Sequence, residues 1–232
     1  MRVASATRNF ALTGNFEIMP KPTPRILLGS ALVIGGIAIA GFAVFNLTIG
    51  DELARQQQQA AAEAVPLEVG DGAAGSLDGA QLEVGEVFAK LYVPRFGDDY
   101  VRNIAEGTSL SNVLNTVGIG HYSGTAMPGQ VGNFALAGHR SGNGGPMRDI
   151  DKFVPGDLVH VETATTRYSY KFVEGTIVKP SGIGVIEPVP VGMASAVKGG
   201  KYLTMTSCTP IGVNTDRIIA WFELVDEQPA AN

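Results

Sequence analysis

The chain has 232 residues, of which 45% are hydrophobic and 17% charged, with a formal net charge of -5, three histidines and one cysteine. No basic stripe is present, so nothing favours nucleic-acid binding. A lone cysteine builds no disulfide framework, and scattered histidines lack ligand spacing, so neither a staple nor a metal or other cofactor is expected.

Residues 1–25 read as a cytoplasmic tail, because Pro20, Pro22 and Pro24 break any helix before the apolar run that follows. Residues 26–47 carry no charge and, as a helix, span roughly 33 Å, about one hydrocarbon core. A secretory signal has a shorter apolar region of about 7–15 residues, so the length favours a retained transmembrane helix, although Ala38-Ile39-Ala40 offers a weak cleavage-like site. Arg2, Arg8, Lys21 and Arg25 precede the run and Asp51 and Glu52 follow it. Positive charge stays inside, which places the N-terminus in the cytoplasm and the remainder outside the cell membrane.

Residues 48–86 read as a flexible extracytoplasmic linker. Gln56 to Ala62 can carry a few helical turns, and then Gly70, Gly72, Gly75 and Gly79 prevent regular packing. A coil of this length reaches roughly 30–35 Å, enough to lift a domain off a membrane.

Residues 87–226 form one domain with a β pattern, followed by a tail at 227–232. Phe88 to Pro94 reads as an edge strand, given its proline. Asn133 to Gly138 is a short apolar run that ends in a glycine-rich loop. Leu158 to Thr163 and Tyr168 to Val173 alternate with period two, and Gly175 to Val178, Lys201 to Ser207 and Arg217 to Val225 are further strands. Short helical turns are expected near Leu110–Val117 and Gly192–Val197. Many short strands with Gly/Pro turns suggest an all-β closed barrel or sandwich.

Cys208 closes a hydroxyl-rich strand just before Thr209-Pro210. A thiol at a strand end sits at a sheet rim, where loops build active sites, whereas an inert core cysteine is more often mid-strand among aliphatics. Thr209 to Asp216 is an eight-residue loop, too short for a crossover, so its flanking strands pair antiparallel and bring Cys208 and Arg217 to one rim. Arg217 offers fixed, always protonated donors for a thiolate, a carbonyl or an oxyanion; taken alone, a surface salt bridge with Asp216 or Glu223 is the simpler reading. A thiol nucleophile usually needs a histidine. His160 alternates within a strand as an exposed residue. His139, at a strand end among small residues, ranks above the loop residue His121, and a structural role suits either.

Taken together, these residues resemble the sortases, membrane-anchored cysteine transpeptidases of Gram-positive bacteria. The matching stretches are the N-terminal anchor, His121-Tyr122-Ser123-Gly124-Thr125-Ala126 with Pro128-Gly129, Gly132 to Arg140, Thr204-Met205-Thr206-Ser207-Cys208-Thr209-Pro210, and Asp216-Arg217-Ile218-Ile219. Leu136-Ala137-Gly138-His139-Arg140 and the proline after Thr209 look most like class E of actinobacteria, which favours a Leu-Ala-x-Thr-Gly signal. The resemblance implies a closed eight-stranded β-barrel with short helices and catalytic His139, Cys208 and Arg217. His121, Tyr122 and Ser207 are implied as candidate substrate contacts. Cys208, as thiolate, would attack the Thr–Gly carbonyl of an LAXTG/LPXTG-like sorting signal on a secreted protein, Arg217 would hold the substrate and stabilise the oxyanion, and His139, protonated, would give its proton to the leaving glycine amine. The acceptor would be a cell-wall precursor amine or a pilin lysine. Some relatives bind calcium, and nothing here marks such a site.

The sequence departs from the family motif where Met205 replaces Leu and Ser207 replaces Thr. Met for Leu conserves volume. Ser207 keeps the hydroxyl that in the family helps place the substrate carbonyl, but loses a methyl, so altered activity or specificity is expected. Three alternatives stand beside wall anchoring: a pilin-polymerising sortase, an L,D-transpeptidase, whose Ser-His-Gly-Cys type motif is absent, and a non-catalytic tethered β-domain with Cys208 buried. Residues 51–90 contain no Asp-Pro-Trp/Phe lid motif, which favours anchoring over polymerisation.

Overall fold

The computed structural model describes residues 23–64, 66–67 and 82–230. Most of the expected cytoplasmic tail, residues 65 and 68–81 of the expected linker, and the last two residues lie outside the described residues. The chain divides into two compact units, Met1–Ala43 and Val44–Asn232.

From Pro24 on, the described part of the first unit belongs to helix α1 (Pro24–Ala64). Its apolar side chains between Leu28 and Phe45 are exposed, Leu32 at 70% and Ile39 at 73%, and α1 is the one helix among the described residues long and apolar enough to cross a membrane. The helix does not stop where the flexible linker was expected to begin; it continues to Ala64. Residues 53–64 are rich in Ala and Gln, which form helices readily. Within the second unit Asp51, Gln58 and Ala62 are buried, so tertiary contacts add to that propensity.

The second unit is built on eight strands: β1 (Val87–Tyr92), β2 (Val101–Glu106), β3 (Ile119–His121), β4 (Gly132–Gly138), β5 (Leu158–Glu162), β6 (Thr166–Val178), β7 (Lys201–Thr209) and β8 (Asp216–Pro229). They close into a barrel in the order β1-β2-β3-β4-β7-β8-β6-β5. The β2–β3 and β4–β7 pairs are parallel and the rest antiparallel. Closure removes exposed strand edges, and alternate residues fill the interior. Leu203 and Met205 of β7, Phe134 and Leu136 of β4, and Ala220 and Phe222 of β8 share that core with Leu91, Ile104, Ile119 and Tyr170. Met205 is fully buried there.

A smaller apolar cluster, Val185, Met193, Tyr202, Ile219 and Trp221, lies on the outer face of β7 and β8. The long β6–β7 connection covers this face and is pinned by polar contacts. Trp221 Nε1 donates to the Val185 carbonyl at 3.2 Å, and Asn133 Nδ2 donates to the Glu187 carbonyl at 3.0 Å.

Several elements differ from the sequence expectation. β6 is one strand rather than two, with a register irregularity between Phe172 and Glu174. A Cβ on its Gly175 would lie 2.7 Å from the Ile219 carbonyl oxygen, so glycine permits the close approach of β8. β8 runs on to Pro229 because β6 pairs with it through Thr166↔Pro229, which makes part of the expected tail a strand. The turn expected at Leu110–Val117 is a π-helical turn at Leu110–Leu114, whereas 192–197 forms turns and the helical turn lies at Ile183–Ile186. β2 and β3 carry no apolar alternation to signal them. In β2, Arg102 and Asn103 are buried, and Arg102 Nη1 donates to Gln59 Oε1 of α1 at 2.7 Å, so polar positions are covered by the helix.

Candidate active site

Three sequence candidates converge at one barrel rim. β7 and β8 are antiparallel, with Cys208 directly opposite Arg217. Directly paired residues project to the same face with their Cβ atoms about 4.5–5.5 Å apart. β4 and β7 are parallel with Ala137 beside Thr206. Extending that register by two residues sets His139, just past the end of β4, level with Cys208. Ser207 confirms the alignment there: its hydroxyl donates to the Gly138 carbonyl at 2.7 Å.

Alternation along β7 decides which way the thiol faces. Leu203 and Met205 fill the core, so Thr204, Thr206 and Cys208 lie on the outer face. Cys208 is half-buried and free, neither sealed in the core nor bridged. Thr206 Oγ1 lies 3.0 Å from the Tyr122 hydroxyl, and Thr204 Oγ1 donates to Asn133 Oδ1 at 2.8 Å. Below them, a cleft of about 530 Å³ opens between the β3–β4 and β6–β7 connections, lined in part by Thr125, Ala126, Val131, Asn133, Ile183 and Glu187.

The environment of His139 fixes its chemistry. Its Nε2 lies 2.9 Å from Asn115 Oδ1, and the Asn143 side-chain amide donates to the same oxygen at 3.2 Å. An amide oxygen only accepts, so Nε2 carries the ring proton and Nδ1 is the basic nitrogen of the neutral imidazole. Burial lowers the pKa of His139 below 6.5, and the carboxylate of Asp51 partly opposes this. The ring is therefore mostly neutral at pH 7 and able to accept a proton.

Arg217 does not form the salt bridge that was its simpler reading. Asp216 pairs with Lys179 at 2.6 Å, and among the described residues Arg217 has no ion pair. Its Nη1 instead donates to the carbonyls of Asn214 and Asp216, which hold the guanidinium at the mouth of the β7–β8 turn.

The other sequence candidates are placed differently. His121 is 2% exposed, with Nδ1 2.6 Å from Glu106 Oε2 and Nε2 2.9 Å from Thr125 Oγ1, and it packs among Phe88 and Phe134. Both ring nitrogens are engaged inside the barrel, so the expectation of a substrate contact is corrected to a structural, hydrogen-bonded histidine. Ser207 is also buried, and its hydroxyl ties β7 to β4 instead of facing the cleft. Tyr122 stays at the rim, half-buried beside Thr206.

Two further residues were not singled out from the sequence. Asn115 orients His139, and no local signal marks it, since its role depends on the β2–β3 connection folding back over β4. Arg140 is buried; its Nη1 donates to Thr209 Oγ1 at 2.7 Å and its Nη2 pairs with Asp151 at 2.6 Å. It thus clamps the residue after His139 to the residue after Cys208. Its place beside His139 was a usable hint.

Comparisons with known proteins identify the family. A sortase domain model matches residues 91–225. The chain belongs to the sortase family. It is 36% identical over 87% of its length to sortase SrtE1 of Streptomyces coelicolor, and it covers 57% of that longer protein. Among solved structures, sortase E1 of Streptomyces coelicolor with a tripeptide in its active site aligns at 39% identity and TM-score 0.58, over 62% of this chain and 91% of the other. Sortase E of Streptomyces avermitilis aligns at 38% identity with the same TM-score, over 63% and 93%. The likeness to class E sortases covers the barrel, and the eight-stranded closed topology is that of a sortase.

Proposed function

We propose that this sortase is a membrane-anchored transpeptidase that cleaves an LAXTG/LPXTG-like signal between Thr and Gly and transfers the acyl product to a cell-wall amine. The observation that carries the reading is the strand register that brings Cys208 opposite Arg217 and level with His139 at one rim. In the first half-reaction His139 Nδ1 takes the thiol proton as Cys208 Sγ attacks the Thr carbonyl. The S–C bond forms, Arg217 stabilises the oxyanion, and the Thr–Gly C–N bond breaks as His139 returns the proton to the leaving glycine amine. In the second half, an acceptor amine gives a proton to His139 and attacks the thioester; the new C–N bond forms and the thiolate leaves and is reprotonated.

The cleft on that side of the barrel supports this path: its Asn133 bonds Thr204, which lies four residues, about 13 Å, along β7 from Cys208. An extended five-residue signal reaches roughly 17 Å, so its Thr carbonyl at Cys208 leaves the preceding residues over that cleft. The exposed apolar part of α1 supports a membrane anchor, and the charge asymmetry about it supports a cytoplasmic N-terminus.

The test is cleavage of a fluorogenic Leu-Ala-x-Thr-Gly peptide by the full chain and by Cys208→Ala. The variant is expected to fold and to lose all turnover; unchanged turnover sinks the proposal. Alkylation of the folded protein is expected to modify Cys208 and abolish activity, whereas a resistant thiol favours a non-catalytic domain.

A further inference from the structure

The helical turns after the apolar part of α1 were expected to be a tether, yet within the second unit they make polar contacts with the loop that follows His139. Asp51, Arg55, Gln58 and Ala62 recur at a spacing of three or four residues, about one turn, and so share one face. Asp51 Oδ2 accepts from the Gly142 backbone N–H at 3.1 Å and from Arg148 Nη2 at 3.0 Å. Arg55 Nε donates to the Gly144 carbonyl at 3.3 Å, and Gln58 Nε2 donates to the Asn143 carbonyl at 3.0 Å. A Cβ on Gly144 would lie 3.0 Å from the Arg55 backbone nitrogen, so the loop backbone is seated directly on the helix.

The contacted loop is the one that sets the ring of His139. Asn143 takes a left-handed backbone conformation with φ of 49°, which asparagine adopts more readily than most residues. Its side chain donates to the same Asn115 oxygen that accepts from His139 Nε2. Gln58 grips Asn143 by its carbonyl, so helix, loop, Asn115 and imidazole form one connected chain of hydrogen bonds.

We propose that α1 carries a positioning face for the reaction, in which Asp51 and Gln58, acting through Gly142, Asn143 and Asn115, hold the orientation and tautomer of His139. The part of the chain next to the membrane-spanning run is thereby a component of the active site, a role that a flexible tether does not have. This rests on the reading of His139 as the proton carrier.

The charged groups around this loop are Asp51, Glu52 and Arg55 of α1, Arg140 and Arg148 of the loop, Asp151 behind Arg140, and Arg217 across the rim. Asp51 is the one that favours the protonated ring, against burial. Its neutralisation must therefore lower the pH at which His139 takes up its proton.

The test uses the full chain in detergent micelles with a fluorogenic Leu-Ala-x-Thr-Gly peptide. Asp51→Asn and Gln58→Met are near-isosteric, so helix packing is kept while the charge or the donor is lost. Each is expected to lower kcat about tenfold with KM within about twofold, as small misplacement of a catalytic group does. Asp51→Asn is also expected to move the acid limb of the kcat/KM profile to lower pH. Gln59→Met is the control: Gln59 lies on the same helix but bonds Arg102 and the Asp99 carbonyl, away from the loop. It is expected to reduce thermal stability and leave kcat unchanged. Wild-type kcat and acid limb in Asp51→Asn and Gln58→Met, or a kcat loss in Gln59→Met that matches theirs, overturns the proposal. His139→Ala separates the two claims: turnover that survives in it defeats the reading of His139 itself, whatever the helix variants do.

Discussion

Ser207 is one of the two positions at which this chain departs from the family motif that the resemblance implied, and its substitution by alanine separates two roles for the hydroxyl. In the structure Oγ donates to the Gly138 carbonyl at 2.7 Å in a buried setting, between the strand that bears Cys208 and the one that leads to His139. Ser207→Ala removes this bond and leaves a buried carbonyl short of a donor, at a cost of about 1–2 kcal/mol. For a unit of this size each kcal/mol shifts Tm by about 2–4 °C, so a fall of roughly 2–8 °C is expected in a thermal melt followed by circular dichroism. The Gly138–His139 peptide is freed to shift against Cys208, and kcat is expected to fall about tenfold with KM unchanged. Unchanged Tm and kcat would refute the structural tie. A rise in KM with Tm and kcat intact would instead put the hydroxyl on the substrate, the role that the family resemblance implied.

Two other predictions follow from the same rim. Burial holds the pKa of His139 below 6.5, so the acid limb of kcat/KM should fall below pH 6.5, with activity lost as pH drops through that limb and the ring becomes protonated before the thiol can give up its proton; a limb above pH 6.5 contradicts this. Arg140→Met removes a charged hydrogen bond to Thr209, worth about 1.5–3 kcal/mol, and an ion pair to the half-exposed Asp151 worth at most about 1 kcal/mol, so urea denaturation should show a loss of about 2–4 kcal/mol.

The barrel and its rim were readable from local pattern because the residues involved mark strand ends. Cys208 before Thr209-Pro210, His139 after an apolar run, and a short connection to Arg217 are signals that survive without tertiary knowledge. What stayed hidden depends on contacts distant in sequence. β2 looks unlike a strand because Arg102 and Asn103 are covered by α1, not by the barrel core. His121 matched a family motif but is held inside the barrel by Glu106, fifteen residues earlier, which no spacing rule links to it. The turns of α1 after Asp51 read as a tether because their buried face is Asp51, Gln58 and the small Ala62, and therefore has no strong hydrophobic signature. Asn115 acquires its role only when the β2–β3 connection meets the loop after β4.

The most direct measurement is intact-mass spectrometry of the full chain after incubation with a Leu-Ala-x-Thr-Gly peptide without an acceptor amine. The expected product is an adduct equal to the acyl part ending in Thr, located by proteolysis at Cys208, discharged by an added amine nucleophile and absent from Cys208→Ala. Peptide cleavage by Cys208→Ala, or an acyl adduct on any other residue, would contradict it.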